Sequence, residues 1–126
     1  MNPNKMIYLS GPMSGIPEFN FPEFNYWADV LRKAGMSVIN PAETAGGETD
    51  LPREWFMRMD FHTIMAVDMV ILLPGWENSA GSKAEVVVAA EIGLDVLEIH
   101  SYRESFLLVP ITRINWELSY EQGAAV

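Results

Sequence analysis

Cysteine is absent from this 126-residue chain, which excludes disulfide staples and thiolate metal centres. Cations are scarce. Eight Lys and Arg face seventeen Asp and Glu, a formal net charge of −9. A nucleic-acid polymer is therefore not an expected partner, because binding one requires cations that displace counterions from its phosphates. A single nucleotide stays open, since backbone N–H groups and hydroxyls can hold one phosphate. No stretch approaches the ~20 apolar residues of a spanning helix, and the N-terminus lacks a basic segment leading into a long apolar run. The expectation is a cytoplasmic protein without a membrane partner. Also missing are a GxGxxG fingerprint, a P-loop lysine, internal repeats, low-complexity stretches and any domain linker.

What is present describes one folded domain. Half of the residues are apolar (49%) and a fifth are charged (20%), a globular balance at a length that supports a single core. Met6–Leu9 is a short apolar run stopped by Ser10-Gly11-Pro12, a buried strand entering a glycine loop. Residues 19–34 carry Phe24, Trp27, Ala28 and Leu31 at helical spacing, with Gly35 placed to end the helix. A second strand is expected over Met36–Ile39, a mobile loop over Ala42–Pro52 and a second helix over Arg53–Ala66. Asp68–Leu73 is the strongest strand signal, nearly all apolar as a central parallel strand is. A third helix over Ser79–Gly93 and runs at Leu94–Ile99 and Phe106–Pro110 complete an alternating pattern. That pattern predicts a single three-layer α/β domain over residues 1–110. It has a roughly five-stranded, mainly parallel Rossmann-like or flavodoxin-like sheet with helices on both faces. Residues 111–126 read as a last helix or a dimer arm.

In such a sheet ligands bind beyond the carboxyl ends of the strands, where strand order reverses. Two loops, Ser10–Gly15 and Pro74–Gly81, leave strands expected to be neighbours. Within Gly75-Trp76-Glu77-Asn78-Ser79-Ala80-Gly81-Ser82-Lys83-Ala84-Glu85, small residues and hydroxyls precede a helix. First-turn N–H groups with Ser79, Gly81 and Ser82 offer an anion site. Glu85, one turn on, reaches a sugar in the crevice, where a carboxylate can attack an anomeric carbon. The plainer reading is a capped helix with an acid near its positive end. Asp60 sits among apolar neighbours and suits a hydroxyl-binding or proton-donating acid, or else a solvated helix face. Asp68 reads as a structural turn residue. Phe19, Phe21, Phe24, Tyr26 and Trp27 offer rings for a base, although most aromatics at helical spacing are core. Trp76 either packs over a base or covers the sheet end. His62 and His100 lie far apart without further ligands, and no metal site is expected.

Three features together resemble the nucleoside 2-deoxyribosyltransferase-like superfamily, especially its short phage and bacterial members. They are Ile7-Tyr8-Leu9-Ser10-Gly11-Pro12, Asp60 eight residues before Asp68, and Ser79-x-Gly81-x-x-x-Glu85. The likeness spans about residues 6–109. It implies Glu85 as the nucleophile, Asp60 as the second acid, and Tyr8 and Gly11 as lining for the sugar and base. It implies Ser79 as the contact to a 5′-phosphate in members similar to deoxynucleoside 5′-monophosphate N-glycosidases. Homodimers or larger homo-oligomers are usual there, with a neighbouring subunit closing the pocket. This chain has Pro12 and Ser14 where the nucleotide hydrolases carry serine and arginine. Lys83 stands where a small residue is usual, a candidate for the missing positive charge.

The expectation is therefore cleavage or transfer at the N-glycosidic bond of a (deoxy)nucleoside or its 5′-monophosphate, with no cofactor. A non-catalytic nucleotide-binding module is the alternative, and an interaction protein built around the C-terminal tail a third.

Overall fold

The computed structural model describes residues 5–44 and 50–111. Strands β1 (Met6–Ser10), β2 (Ser37–Ile39), β3 (Met69–Leu72), β4 (Asp95–Tyr102) and β5 (Ser105–Pro110) form one sheet in the order β2-β1-β3-β4-β5. The first four are parallel, and β5 runs antiparallel to β4. Helices α1 (Phe21–Lys33), α2 (Pro41–Thr44), α3 (Arg53–Ile64) and α4 (Ala80–Glu91) complete the α/β domain. Its three-layer, flavodoxin-like arrangement is the expected one.

Each central strand sorts its side chains by parity, because successive residues point to opposite faces. Ile7 and Leu9 join Met69, Ile71 and Leu73 in a core with Phe24, Trp27, Ala28 and Leu31 of α1. Tyr8, Val70, Leu72 and Val96 enter the opposite core with Ile64 of α3 and Val86 and Ala89 of α4. All four residues of β3 are buried, as the continuous apolar run required. Asp68 ties the β1–β3 seam at its lower end, its Oδ2 accepting the Met6 N–H at 2.9 Å while its own N–H donates to the Met6 carbonyl at 3.0 Å.

Several boundaries depart from the pattern expected of the sequence. Residues 17–20 form a separate 3-10 turn before α1, with Glu18, Phe19 and Asn20 all at φ between 56° and 59°. Pro41–Thr44 is a helical turn that overlaps the start of the expected loop, begun by a proline whose fixed φ suits a first helical residue. β4 continues three residues beyond Ile99, through polar His100 and Ser101, because β5 pairs with it to Tyr102. Only Arg103 and Glu104 join these strands; so short a link permits an antiparallel pair, whereas a parallel one needs a crossover of a dozen residues. Of the expected tail, residues 112–126 lie outside the described residues.

Candidate active site

β1 has β2 on one side and β3 on the other, so strand order reverses between β1 and β3 and opens a crevice at their carboxyl ends. A cavity of about 160 Å³ lies there, close to the volume that admits one six-membered ring. Its lining comes from β1 and its following loop, the 3-10 turn, α3 and the first turns of α4. The two loops singled out in the sequence thus meet in one place.

The buried face of α4 explains how an acid comes to be inside. Ser82, Glu85, Val86 and Ala89 are its buried residues, spaced i, i+3, i+4 and i+7 along one stripe. The lower half of that stripe is apolar and packs on the sheet; the upper half is polar and faces the cavity. Glu85 is only 4% exposed, and its two oxygens are held by β1. The Tyr8 hydroxyl donates to Oε2 at 2.9 Å, and the Ser10 hydroxyl donates to Oε1 at 2.5 Å. Ser10 Oγ also lies 3.0 Å from Ser82 Oγ. Tyr8 and Ser10 can both reach Glu85 because they are two apart on a strand and share its α4-facing side.

Asp60 comes in from α3 and lines the same cavity as Glu85 and Tyr8, close enough to influence the protonation of both. Burial pushes the Glu85 carboxyl well above the ordinary carboxylate range, with the Asp60 charge beside it as the next cause; hydrogen bonds from Ser10 and Tyr8 oppose the rise. Burial likewise raises Asp60. The Tyr8 phenol is pushed well above its usual value, first by burial and then by the Glu85 and Asp60 charges, so it stays protonated and donates. Two acids this close titrate as a unit, keeping one proton between them beyond the pH at which exposed carboxyls lose theirs. A proton-bearing acid beside an oriented carboxylate is the equipment for nucleophilic attack with general-acid assistance.

Of the residues selected from sequence, Glu85, Asp60, Tyr8, Gly11, Ser79, Gly81 and Ser82 all line the cavity. Trp76 does not. Its ring is buried in the α4-side core, and its indole N–H donates to Glu98 Oε2 at 2.8 Å; it covers the sheet end and is not available to a base. Ser79 is the helix N-cap, its Oγ accepting the Ser82 N–H at 3.2 Å. Ser82 is turned inward, 1% exposed, toward Ser10 rather than toward an anion. Gly11 has a steric reason: a Cβ there would lie 2.9 Å from Leu73 Cβ, so glycine lets the loop close against the end of β3. Lys83 is not among the lining residues; the cation that lines the cavity is Arg53, from the first turn of α3.

Sequence reasoning did not single out Arg53, Phe56 or Met57, and named Ser10 only as part of its loop and motif. Ser10 carried a signal, since it shares the parity of Tyr8 on β1. Arg53 sat outside any motif, and only the α3 position reveals it. Phe19 and Phe56 line one side of the cavity with rings 5.4 Å apart at 63°, and Phe21 stacks on Phe19 at 5.6 Å. This wall can receive a flat ring. Among the described residues no three His, Asp or Glu side chains gather as a metal site, and no helix is long and apolar enough to cross a membrane.

A family model described as a domain of unknown function, DUF4406, matches residues 5–98. The chain belongs to this family. The matched stretch of the DUF4406 domain carries Tyr8, Ser10, Asp60, Ser82 and Glu85, and it stops within β4, so the β5 edge lies outside it. No curated protein matches the chain.

Proposed function

We propose that this protein cleaves, or transfers across, the N-glycosidic bond of a (deoxy)nucleoside or its 5′-monophosphate. The observation that carries the reading is buried Glu85 beside half-buried Asp60 on the cavity, with a hydroxyl donor on each Glu85 oxygen. An Oε atom of Glu85 attacks the anomeric carbon; the bond to the base nitrogen breaks, and its electron pair stays with the base. Asp60 gives the leaving base its proton. The resulting glycosyl ester is attacked by water, which yields hydrolysis, or by a second base, which yields transfer. In the hydrolytic case Asp60 takes back the proton from the water.

The cavity volume suits the sugar ring, leaving the base to lie on Phe19 and Phe56 and any 5′-anion near Arg53, Ser14 and Ser79. The superfamily resemblance supports the same roles for Glu85, Asp60 and Tyr8. The reaction draws on intracellular metabolites and fits a cytoplasmic protein. We further propose a homodimer or larger homo-oligomer whose neighbouring copy covers the solvent-facing side of the cavity; sedimentation showing a monomer at micromolar concentration would remove that element.

The deciding experiment incubates the purified protein with a panel of nucleosides and 5′-monophosphates and follows free base by chromatography. Base release by the wild type, reduced about 10³-fold or more by Glu85→Ala, is the expected result. Activity that survives this substitution would refute the mechanism. Nucleotide-dependent thermal stabilisation without base release would indicate a binding module instead.

A further inference from the structure

One arrangement in the site does more than hold ligand. A hydroxyl carries a single hydrogen, so Ser10 cannot donate to Glu85 and Ser82 together. The shorter contact, 2.5 Å to Glu85 Oε1, takes the Ser10 hydrogen, since a carboxylate is the stronger acceptor. The 3.0 Å contact is then Ser82 donating to Ser10. The chain runs Ser82 Oγ–H to Ser10 Oγ–H to Glu85 Oε1, and each donation polarises the next. Ser10, Ser82 and Glu85 are 1%, 1% and 4% exposed, so water cannot readily substitute for any link.

Which acid holds the shared proton decides whether the pair can work. Glu85 lies deeper than half-buried Asp60. Burial alone therefore leaves the proton on Glu85, where it would block nucleophilic attack and leave Asp60 without a proton to give. We infer that the Ser82–Ser10 relay, with the Tyr8 hydroxyl on the other oxygen, biases the shared proton away from Glu85 and toward Asp60. This rests on the function proposed above. Ser10 is a positioning residue in it, acting through Glu85. The titratable groups facing Glu85 are Tyr8 of β1 and Asp60 of α3, with Arg53 of α3 on the same cavity; the relay is the contribution of β1 and α4 that bears no charge.

The test compares wild type with Ser10→Ala, Ser10→Thr and Ser82→Ala. Loss of the relay lowers kcat about 10- to 100-fold near neutrality, the range of one hydrogen bond to a charged group. It also moves the acidic limb of the kcat profile upward by about one pH unit. Activity of Ser10→Ala therefore recovers in part toward alkaline pH, Ser10→Thr restores most of it, and Ser82→Ala gives the same shift to a smaller extent. A uniform loss with an unmoved limb would overturn the inference.

Denaturant unfolding from pH 5 to 9 reads the same relay without any substrate. Ser10→Ala and Ser82→Ala lose more stability at the alkaline end, where Glu85 is ionised, than at the acid end. A deficit independent of pH in both would overturn the inference even if no base is ever released, an outcome that would separately remove the proposed function. If Ser10→Ala fails to fold, Ser82→Ala and Ser10→Thr carry the comparison.

Discussion

Glu85 is readable in the sequence because its partners are local: a small-residue loop, a capping serine and one helical turn place it at the sheet's open end. Its protonation environment is not readable there. Tyr8 and Ser10 lie 77 and 75 positions away, and only the strand pairing brings them in. Ser82 shows the opposite limit. Its place in the first helical turn suggests an anion ligand, yet rotation of α4 aims it at β1. Two outcomes of the proposed reaction belong at this scale. Asp60→Asn keeps the shape but removes the proton donor, and it should lower kcat about 10²- to 10⁴-fold, most for the bases that leave least readily. Arg53→Gln should raise KM for 5′-monophosphates about tenfold or more while leaving nucleosides unaffected; equal effects on both substrate types would free Arg53 of any role in anion recognition.

Among the elements, the strands are legible through their apolar runs and stops, and α1 through Phe24, Trp27, Ala28 and Leu31. The 3-10 turn before α1 is not. Helical spacing of aromatics runs on through Phe19, whereas the chain there takes left-handed backbone at three successive non-glycine residues. Glu18 and Phe19 each cost roughly 1–2 kcal/mol of local strain, while asparagine tolerates this region better; the cost is offset by the seating of Phe19 against Phe21 and Phe56 and by the Asn20 side chain donating to the Pro12 carbonyl at 2.8 Å. Glu18 is exposed and makes neither contact, so Glu18→Gly should stabilise the protein by about 1 kcal/mol, seen as a higher melting temperature. A lower one would mean that the turn is not strained. At the loop after β1, Gly11→Ala should cost about 1–3 kcal/mol, because the Leu73 Cβ in its way belongs to a buried strand end and cannot easily retreat.

For the molecule as a whole, buried Glu85 and half-buried Asp60 couple protonation to folding. Glu85 and Asp60 bind protons more tightly folded than unfolded. The stability linked to that proton is complete below the ordinary carboxylate range, about pH 4. It is lost as pH rises through the raised folded values. Glu85→Gln removes the like-charge repulsion and should be more stable than wild type, by a margin that widens from mild acid to alkaline pH in urea titrations. A constant margin would mean that the pair ionises as freely as exposed acids. Composition shows that the chain is acidic, but not that one of its acids is buried with a second half-buried beside it.

Because β1 is hydrogen-bonded on both flanks, by β2 and by β3, its Tyr8 and Ser10 hydroxyls ride on backbone with no room to adapt. Inserting or deleting a single residue ahead of Ile7 would send the hydroxyls into the apolar layer beneath α1 and turn Ile7 and Leu9 toward the acids. Such a change would disrupt the core and the hydrogen bonds to Glu85 together. Divergence among related chains should accordingly concentrate at the rim, where Phe19, Arg53 and Ser14 can be exchanged without moving the strand.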